Sequence, residues 1–304
     1  MRVLFIFLDG IGLGENNPET NPFALAKMPN LNKLLDGRSL LKDSAPFHGE
    51  HATLLAIDPA VGVSGLPQSA TGQAILMTGI NIPAALGYHY GPKPNPEVAA
   101  YLKERTLFSR FVKEDKKVAL LNAYPPRYFD GIDSGKRLYS SIPLTVTNAG
   151  LPLFRHDDLF AGRALSADFT GEGWRMMLGF MNAPVMEPPV AGRTLGTLAK
   201  EYDFSLFEYW ASDYAGHKQQ MDNAIRLMET FDGILGGLTE AWDDDGLILV
   251  TSDHGNMEDL STRRHTDADV PALVIGNKAA RDEFTRGMKD LTDIAPAIWK
   301  TVMG

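Results

Sequence analysis

Residues 247–274, LILVTSDHGNMEDLSTRRHTDADVPALV, decide how the chain is read. The run 247–250 is short, apolar and bounded by Thr251 and Ser252, the pattern of a buried strand. It ends in Asp253-His254-Gly255. His265 stands eleven residues beyond His254, and a second apolar run, 270–275, follows it. A carboxylate and two imidazoles therefore lie close to the ends of buried strands. Open α/β sheets build their sites at the carboxyl ends of strands, and Asp with His suits zinc or manganese. Taken alone, the stretch supports equally a polar turn with a helix-capping Asp.

Working outward, the same grammar recurs. Residues 3–8 read as a central parallel strand, apolar on both faces, ended by Asp9-Gly10. Residues 204–210 read as another buried strand, followed by Asp213 and His217. These two are four apart, so a helical turn puts both on one face, where they suit one ion. Each feature alone has an ordinary explanation as a cap or polar loop. From 219 to 242, Met221, Ile225, Met228, Phe231, Leu235 and Leu238 recur at spacings of three and four, a helix with a core face. A last helix is expected over 293–302. Residues 66–79 place Ser69 and Thr71 at the start of a helical run, where free N–H groups favour an anion; either hydroxyl serves as an N-cap or as a nucleophile. The expectation is an α/β fold with a mostly parallel, doubly wound sheet and helices on both faces. Between 81 and 197 prolines, aromatics and glycines cluster, which reads as a smaller inserted α+β cap, leaving 1–80 and 198–304 as the core. Residues 96–114 read as one helix of that cap. Arg127, Lys136, Arg137 and Arg155 are its candidate anion contacts, with surface charge the commoner role of each.

The totals narrow the function. The 304 residues suffice for one large α/β domain with an insertion. The net charge of -9 argues against sequence-blind nucleic-acid binding, which needs a basic face. Without cysteine there is no disulfide, thiolate metal site or cysteine nucleophile, so a metal must be held by His, Asp, Glu or hydroxyl groups. The apolar run 3–8 is too short for a signal peptide and no stretch reaches membrane-span length. A cytoplasmic protein with no nucleic-acid or membrane partner is expected, and oligomeric state leaves no pattern.

Three strand ends thus carry Asp9, Asp213 with His217, and Asp253-His254; a fourth strand is preceded by His265, and a hydroxyl opens a helix. Together they resemble the alkaline phosphatase superfamily, in the branch of cofactor-independent phosphoglycerate mutases and phosphopentomutases. The most specific pieces are Asp-His-Gly-Asn-Met-Glu at 253–258, His265-Thr266 ahead of Val270-Pro271, Asp213-x-x-Gly216-His217, and Thr292-Asp293-Ile294-Ala295-Pro296. The resemblance covers about residues 1–80 and 200–304 and implies an alkaline phosphatase-like core with two divalent metal ions, manganese by family analogy, with zinc or magnesium as alternatives. It implies Asp213, His217 and His265 around one ion and Asp9, Asp253 and His254 around the other, with Ser69 as the nucleophile and metal-proximal oxygen. Thr71 is the alternative nucleophile. Gln73 stands where the mutases usually have His. Gln73, Arg127, Arg137, Arg263 and Arg264 are the candidate substrate contacts.

The implied enzyme transfers phosphoryl groups from a small phosphorylated metabolite through a phospho-Ser or phospho-Thr intermediate, as a phosphomonoesterase or a phosphomutase. A phosphodiesterase or phosphonate hydrolase on the same core is the alternative, and a non-catalytic metal-binding protein is a third reading that the intact ligand set disfavours. A sulfatase is disfavoured, because Ser69 is followed by Ala-Thr-Gly and not by the Cys/Ser-x-Pro-x-Arg pattern.

Overall fold

The computed structural model describes residues 1–243 and 245–304. Nine strands are present among them: β1 (Arg2–Leu8), β2 (Phe47–His48), β3 (Ala52–Ile57), β4 (Val118–Leu120), β5 (Ala123–Tyr124), β6 (Phe154–Arg155), β7 (Phe204–Tyr209), β8 (Gly246–Thr251) and β9 (Val270–Ile275). Seven form one sheet in the order β2-β3-β9-β8-β1-β7-β4, and β5 pairs with β6 in a small second sheet. β4, β7, β1 and β8 run parallel, while β9 is antiparallel to both β8 and β3. The sheet is mostly, not wholly, parallel.

β1 lies between β7 and β8, with Leu8 opposite Tyr209 and Phe7 opposite Thr251. The residues that follow three adjacent strands, Asp9, Asp213 and Asp253, are thereby delivered to one edge. Because β9 runs antiparallel to β8, its beginning lies at that same edge, which brings in His265. One reversed strand thus gathers ligands from opposite sides of a connecting loop.

Both faces of β1 are buried, as its continuous apolar sequence requires. Leu4, Ile6 and Leu8 pack with Phe207, Val250 and the helices Pro188–Ala199 and Met221–Ala241. Val3, Phe5 and Phe7 pack with Leu206, Leu249 and the helices Ser69–Thr78 and Ile294–Met303. The first helix pair approaches closely. A Cβ on Gly192 would run into the Ile234 carbonyl oxygen, and one on Gly237 into that of Pro189.

The cap expected over 81–197 is not a separate body. β4, inside that segment, is an edge strand of the main sheet. Residues 96–114 form two helices, Pro96–Tyr101 and Leu107–Lys113, the second restarted by Thr106, whose hydroxyl accepts from Ser109 N. Phe111 stacks on Trp299 at 5.1 Å and packs on Phe204 at 5.3 Å. The helix Pro188–Ala199 likewise belongs to the core. The turn-forming residues that suggested a domain change are real, but Phe108, Phe111, Val118 and Leu120 bury their side chains against the sheet. The smaller α+β piece is confined to β5, β6 and a minor cluster of Ala123, Leu159, Ala164, Trp174 and Ala183. No helix among the described residues is long and apolar enough to cross a membrane.

Leu249 is fully buried on a strand inside the sheet. Leu249→Ala is expected to cost about 2–5 kcal/mol in equilibrium urea unfolding through lost transfer energy and the cavity left behind. A cost below about 1 kcal/mol would contradict this packing.

Candidate metal centre

Asp9 and Asp253 extend from the ends of β1 and β8 on the sheet face that carries the Ser69–Thr78 helix. The contact is close: a Cβ on Gly72 would lie 2.7 Å from the Asp253 Cβ. Asp213 and His217 project from the helix Ala211–Lys218, with Asp213 Oδ2 3.2 Å from His217 Nε2. His265 Nε2 is 3.8 Å from Asp213 Oδ1. His254 Nε2 is 3.4 Å from Asp9 Oδ1, 3.6 Å from Asp253 Oδ2 and 3.0 Å from Ser69 Oγ. The His254 and His265 rings stack at 3.7 Å.

Donor atoms of Asp213, His217 and His265 lie within 4.8 Å of one another, and so do those of Asp9, Asp213 and His254. All six Asp and His residues singled out from the sequence therefore converge, together with Ser69. The division between two ions is less clean than the resemblance implies, because Asp213 stands between both groups.

The donor set fits divalent cations on three independent grounds. First, Asp9 Oδ1, Asp213 Oδ1 and Asp253 Oδ2 are buried without a hydrogen-bond partner, a costly state for anionic oxygens unless a cation is near. Second, each imidazole has its Nδ1 beside a backbone carbonyl: His217 with Arg263 O at 2.6 Å, His265 with Pro67 O at 2.8 Å, His254 with Gly255 O at 3.3 Å. That arrangement fixes the proton on Nδ1 and leaves the Nε2 lone pair facing the cluster. Third, the charges are unbalanced. Burial, then the charges of Asp253, Asp213 and Glu208, hold the Asp9 carboxyl well above its usual range. Burial and then Asp213 push Asp253 up to about 7. Burial lowers His254 to about 4 and, with the charge of His254, lowers His265. Imidazoles kept neutral beside crowded carboxylates are in the form that binds metal.

Glu258, quoted within the 253–258 motif but given no role from sequence, ties the loops together. It is buried and accepts from Gly12 N at 2.9 Å, Asn256 N at 2.8 Å and the Thr266 hydroxyl. It thus links the loops after β1 and β8 to the one before β9. Asn256 Nδ2 lies 3.2 Å from His217 Nδ1. Its signal in the sequence is an acidic residue closing the 253–258 motif.

Ser69 begins its helix and is 6 % exposed. Thr71 is placed differently: its hydroxyl donates to Gln68 O at 3.1 Å and accepts from Tyr90 N at 3.2 Å. That makes Thr71 a tie to the neighbouring loop and not the equal of Ser69. Gln73 does reach the cluster, with Nε2 3.5 Å from Asp9 Oδ2. The arginines do not gather there. Arg127 is exposed. Arg137 lies over the Tyr128 ring at 5.2 Å, and Arg155 over Phe129 at 3.9 Å. Arg263 Nε donates to Gln219 Oε1 at 3.0 Å, so its contribution is the carbonyl that holds His217; Arg264 is exposed. Long side chains on exposed loops carry no sequence pattern that fixes where they point.

Residues 182–303 match the family model described as Metalloenzyme superfamily. Over 196 residues the chain is 28% identical to the 2,3-bisphosphoglycerate-independent phosphoglycerate mutase of Vibrio atlanticus (strain LGP32), covering 60% of this chain and 38% of that protein. Over 160 residues it is 31% identical to the protein of the same name from Aliivibrio fischeri (strain ATCC 700601 / ES114), covering 48% and 31%. The PH0037 protein from Pyrococcus horikoshii superposes with a TM-score of 0.58 at 16% identity, over 99% of this chain and 96% of that one. The alkaline phosphatase from the Antarctic bacterium TAB5 superposes with 0.54 at 13%, over 99% and 98%. Over residues 182–303 the chain is similar to the Metalloenzyme superfamily, and its fold is similar to that of an alkaline phosphatase. The matched region spans well under half the length of the curated mutases, 38% of the first.

Binding of a divalent cation to this cluster is expected to expel protons from Asp9, held well above its usual range, and from Asp253, pushed up to about 7. Burial lowers His254 and His265, which favours their neutral, metal-binding form. Calorimetric titration of metal in buffers of different ionisation enthalpy should show proton release at about pH 6.5, with the Asp253 share falling as pH rises above about 7 and apparent affinity rising over that interval. Binding heats independent of buffer would contradict the placement of the carboxylates.

Proposed function

We propose that the protein is a metal-dependent phosphomonoesterase acting on a small phosphorylated metabolite through a phospho-Ser69 intermediate. The observation that carries this reading is Ser69 Oγ, 3.0 Å from His254 Nε2, at the first turn of a helix and beside Asp9 and Asp253. The His254 Nδ1–H directed at Gly255 O leaves the Nε2 lone pair and Ser69 Oγ side by side, where one cation would meet both. The N–H groups of the helix's first turn favour the charge of an incoming phosphoryl group. Ser69 Oγ forms the new bond to phosphorus as the ester oxygen leaves in line, taking up a proton. Water then breaks the phosphoserine bond and returns the hydroxyl to Ser69.

Asp213, His217 and His265 would hold one cation and Asp9, Asp253 and His254 a second, with Asp213 between them; manganese is the first choice, and zinc or magnesium also suit these donors. Such ions would lower the pKa of the Ser69 hydroxyl and neutralise the phosphoryl oxygens. A mutase is the second reading, favoured by the names of the sequence relatives. It differs only in the acceptor of the phosphoserine group, a hydroxyl of a retained substrate in place of water.

A panel of phosphomonoesters, bisphosphates and diesters, assayed with manganese, zinc and magnesium, tests the reading. Ser69→Ala should lower kcat by about a thousandfold or more, whereas Thr71→Ala should stay within about tenfold of the parent. Retention of activity in Ser69→Ala would overturn the assignment. Release of free phosphate separates the hydrolase from the mutase.

A further inference from the structure

Glu208 is an anomaly of β7. The face of the sheet it occupies is otherwise built from Phe5, Phe7, Phe204, Leu206 and Leu249, yet a carboxyl sits there, 7 % exposed. A buried carboxyl on an apolar face is costly and marks function more often than stability. Its position is fixed from the neighbouring chain segment: Asn122 Oδ1 accepts from Glu208 N at 2.8 Å and Asn122 Nδ2 donates to Glu208 O at 2.9 Å. The side chain then meets the Tyr124 hydroxyl, which donates to Oε1 at 2.5 Å. Oε2 has no hydrogen bond among the described residues.

Two more polar atoms stand unused beside it. The Tyr128 hydroxyl is buried without a partner, and its ring lies 4.5 Å from that of Tyr124. Gln73 Oε1 is buried without a partner among the described residues, while its Nε2 lies 3.5 Å from Asp9 Oδ2. Glu208 stands opposite Phe7 in the β1–β7 register, two residues before Asp9, on the sheet face that packs against the Ser69 helix. None of these atoms belongs to the six Asp and His donors.

We infer that Glu208, with Tyr124, Tyr128 and Gln73, forms the subsite for the alcohol part of the substrate and selects esters whose alcohol carries a further hydroxyl. The inference rests on the phosphomonoesterase reading above. The left-over atoms include acceptors, Glu208 Oε2 and Gln73 Oε1, and a donor, the Tyr128 hydroxyl. A hydroxyl both donates and accepts and so satisfies such a mixture. A second anionic group would meet the buried Glu208 carboxyl, and a purely apolar chain would leave the polar atoms unpaired. A site with buried polar groups rejects a substrate lacking their partner more strongly than an apolar pocket rejects an extra hydroxyl.

The test compares glycerol phosphate with propyl phosphate, which share a carbon count and differ in hydroxyls, for the parent, Glu208→Gln and Tyr124→Phe. The parent should favour glycerol phosphate by about tenfold or more in kcat/KM. Each variant should bring that ratio toward unity, through a quantity internal to each protein that a simple loss of folded enzyme does not move. Bound metal per chain, by elemental analysis, should be unchanged in both. An unchanged ratio overturns the inference, and so does loss of metal in Glu208→Gln, which would make that carboxyl a ligand. If the parent cleaves both esters equally, the subsite fails while the phosphomonoesterase reading stands. If it cleaves no phosphomonoester of the wider panel with any of the three metals, that reading fails and the subsite with it.

Discussion

Three carboxylates, Asp9, Asp213 and Asp253, share one edge of a sheet, each with a buried oxygen that has no hydrogen-bond partner among the described residues. Most of the molecule's organisation follows from keeping them there. β1 must lie between β7 and β8 for their ends to meet, and β9 must reverse for His265 to join them. Gly72 must lack a side chain for the Ser69 helix to sit against Asp253. Burial raises Asp9 and Asp253 and lowers His254 and His265, so the cluster is poised for positive charge that the described residues do not supply. Crowding of this kind destabilises the folded chain on its own and is relieved when a cation binds.

Around this centre the protein spends neutral, rigid contacts. Backbone carbonyls of Arg263, Pro67 and Gly255 orient the imidazoles, and the Glu258 carboxylate binds the loops of three strands together. Such supports fix which nitrogen faces the ion and hold ligand geometry with little reorganisation. Ser69 gains its place from the same scheme, between a helix start and the Nε2 of His254.

Much of this was legible in the sequence, for identifiable reasons. Parallel strands buried on both faces read as unbroken apolar runs, so residues 3–8 and 247–250 announced themselves, and Asp or His immediately beyond such runs can occupy few places but the sheet edge. The i, i+4 spacing of Asp213 and His217 became one face of the helix Ala211–Lys218. What was not legible depended on long-range packing. Nothing local shows that β4 joins the main sheet, so proline and aromatic clustering over 81–197 looked like a separate cap. Thr71 and Ser69 differ in sequence by two positions, and only the approach of Tyr90 decides which hydroxyl is engaged by backbone. Glu208 lay in plain sight as an acid inside an apolar strand, and its meaning required Tyr124 from a distant segment.

The central claim is that this sheet edge is a binding site for divalent cations. Diffraction from crystals grown with manganese, with data collected at the manganese absorption edge, addresses it most directly. The account expects anomalous peaks within the cluster, one among Asp213, His217 and His265 and one among Asp9, Asp253 and His254. Ions found only at exposed carboxylates, with no peak among these side chains, would contradict it.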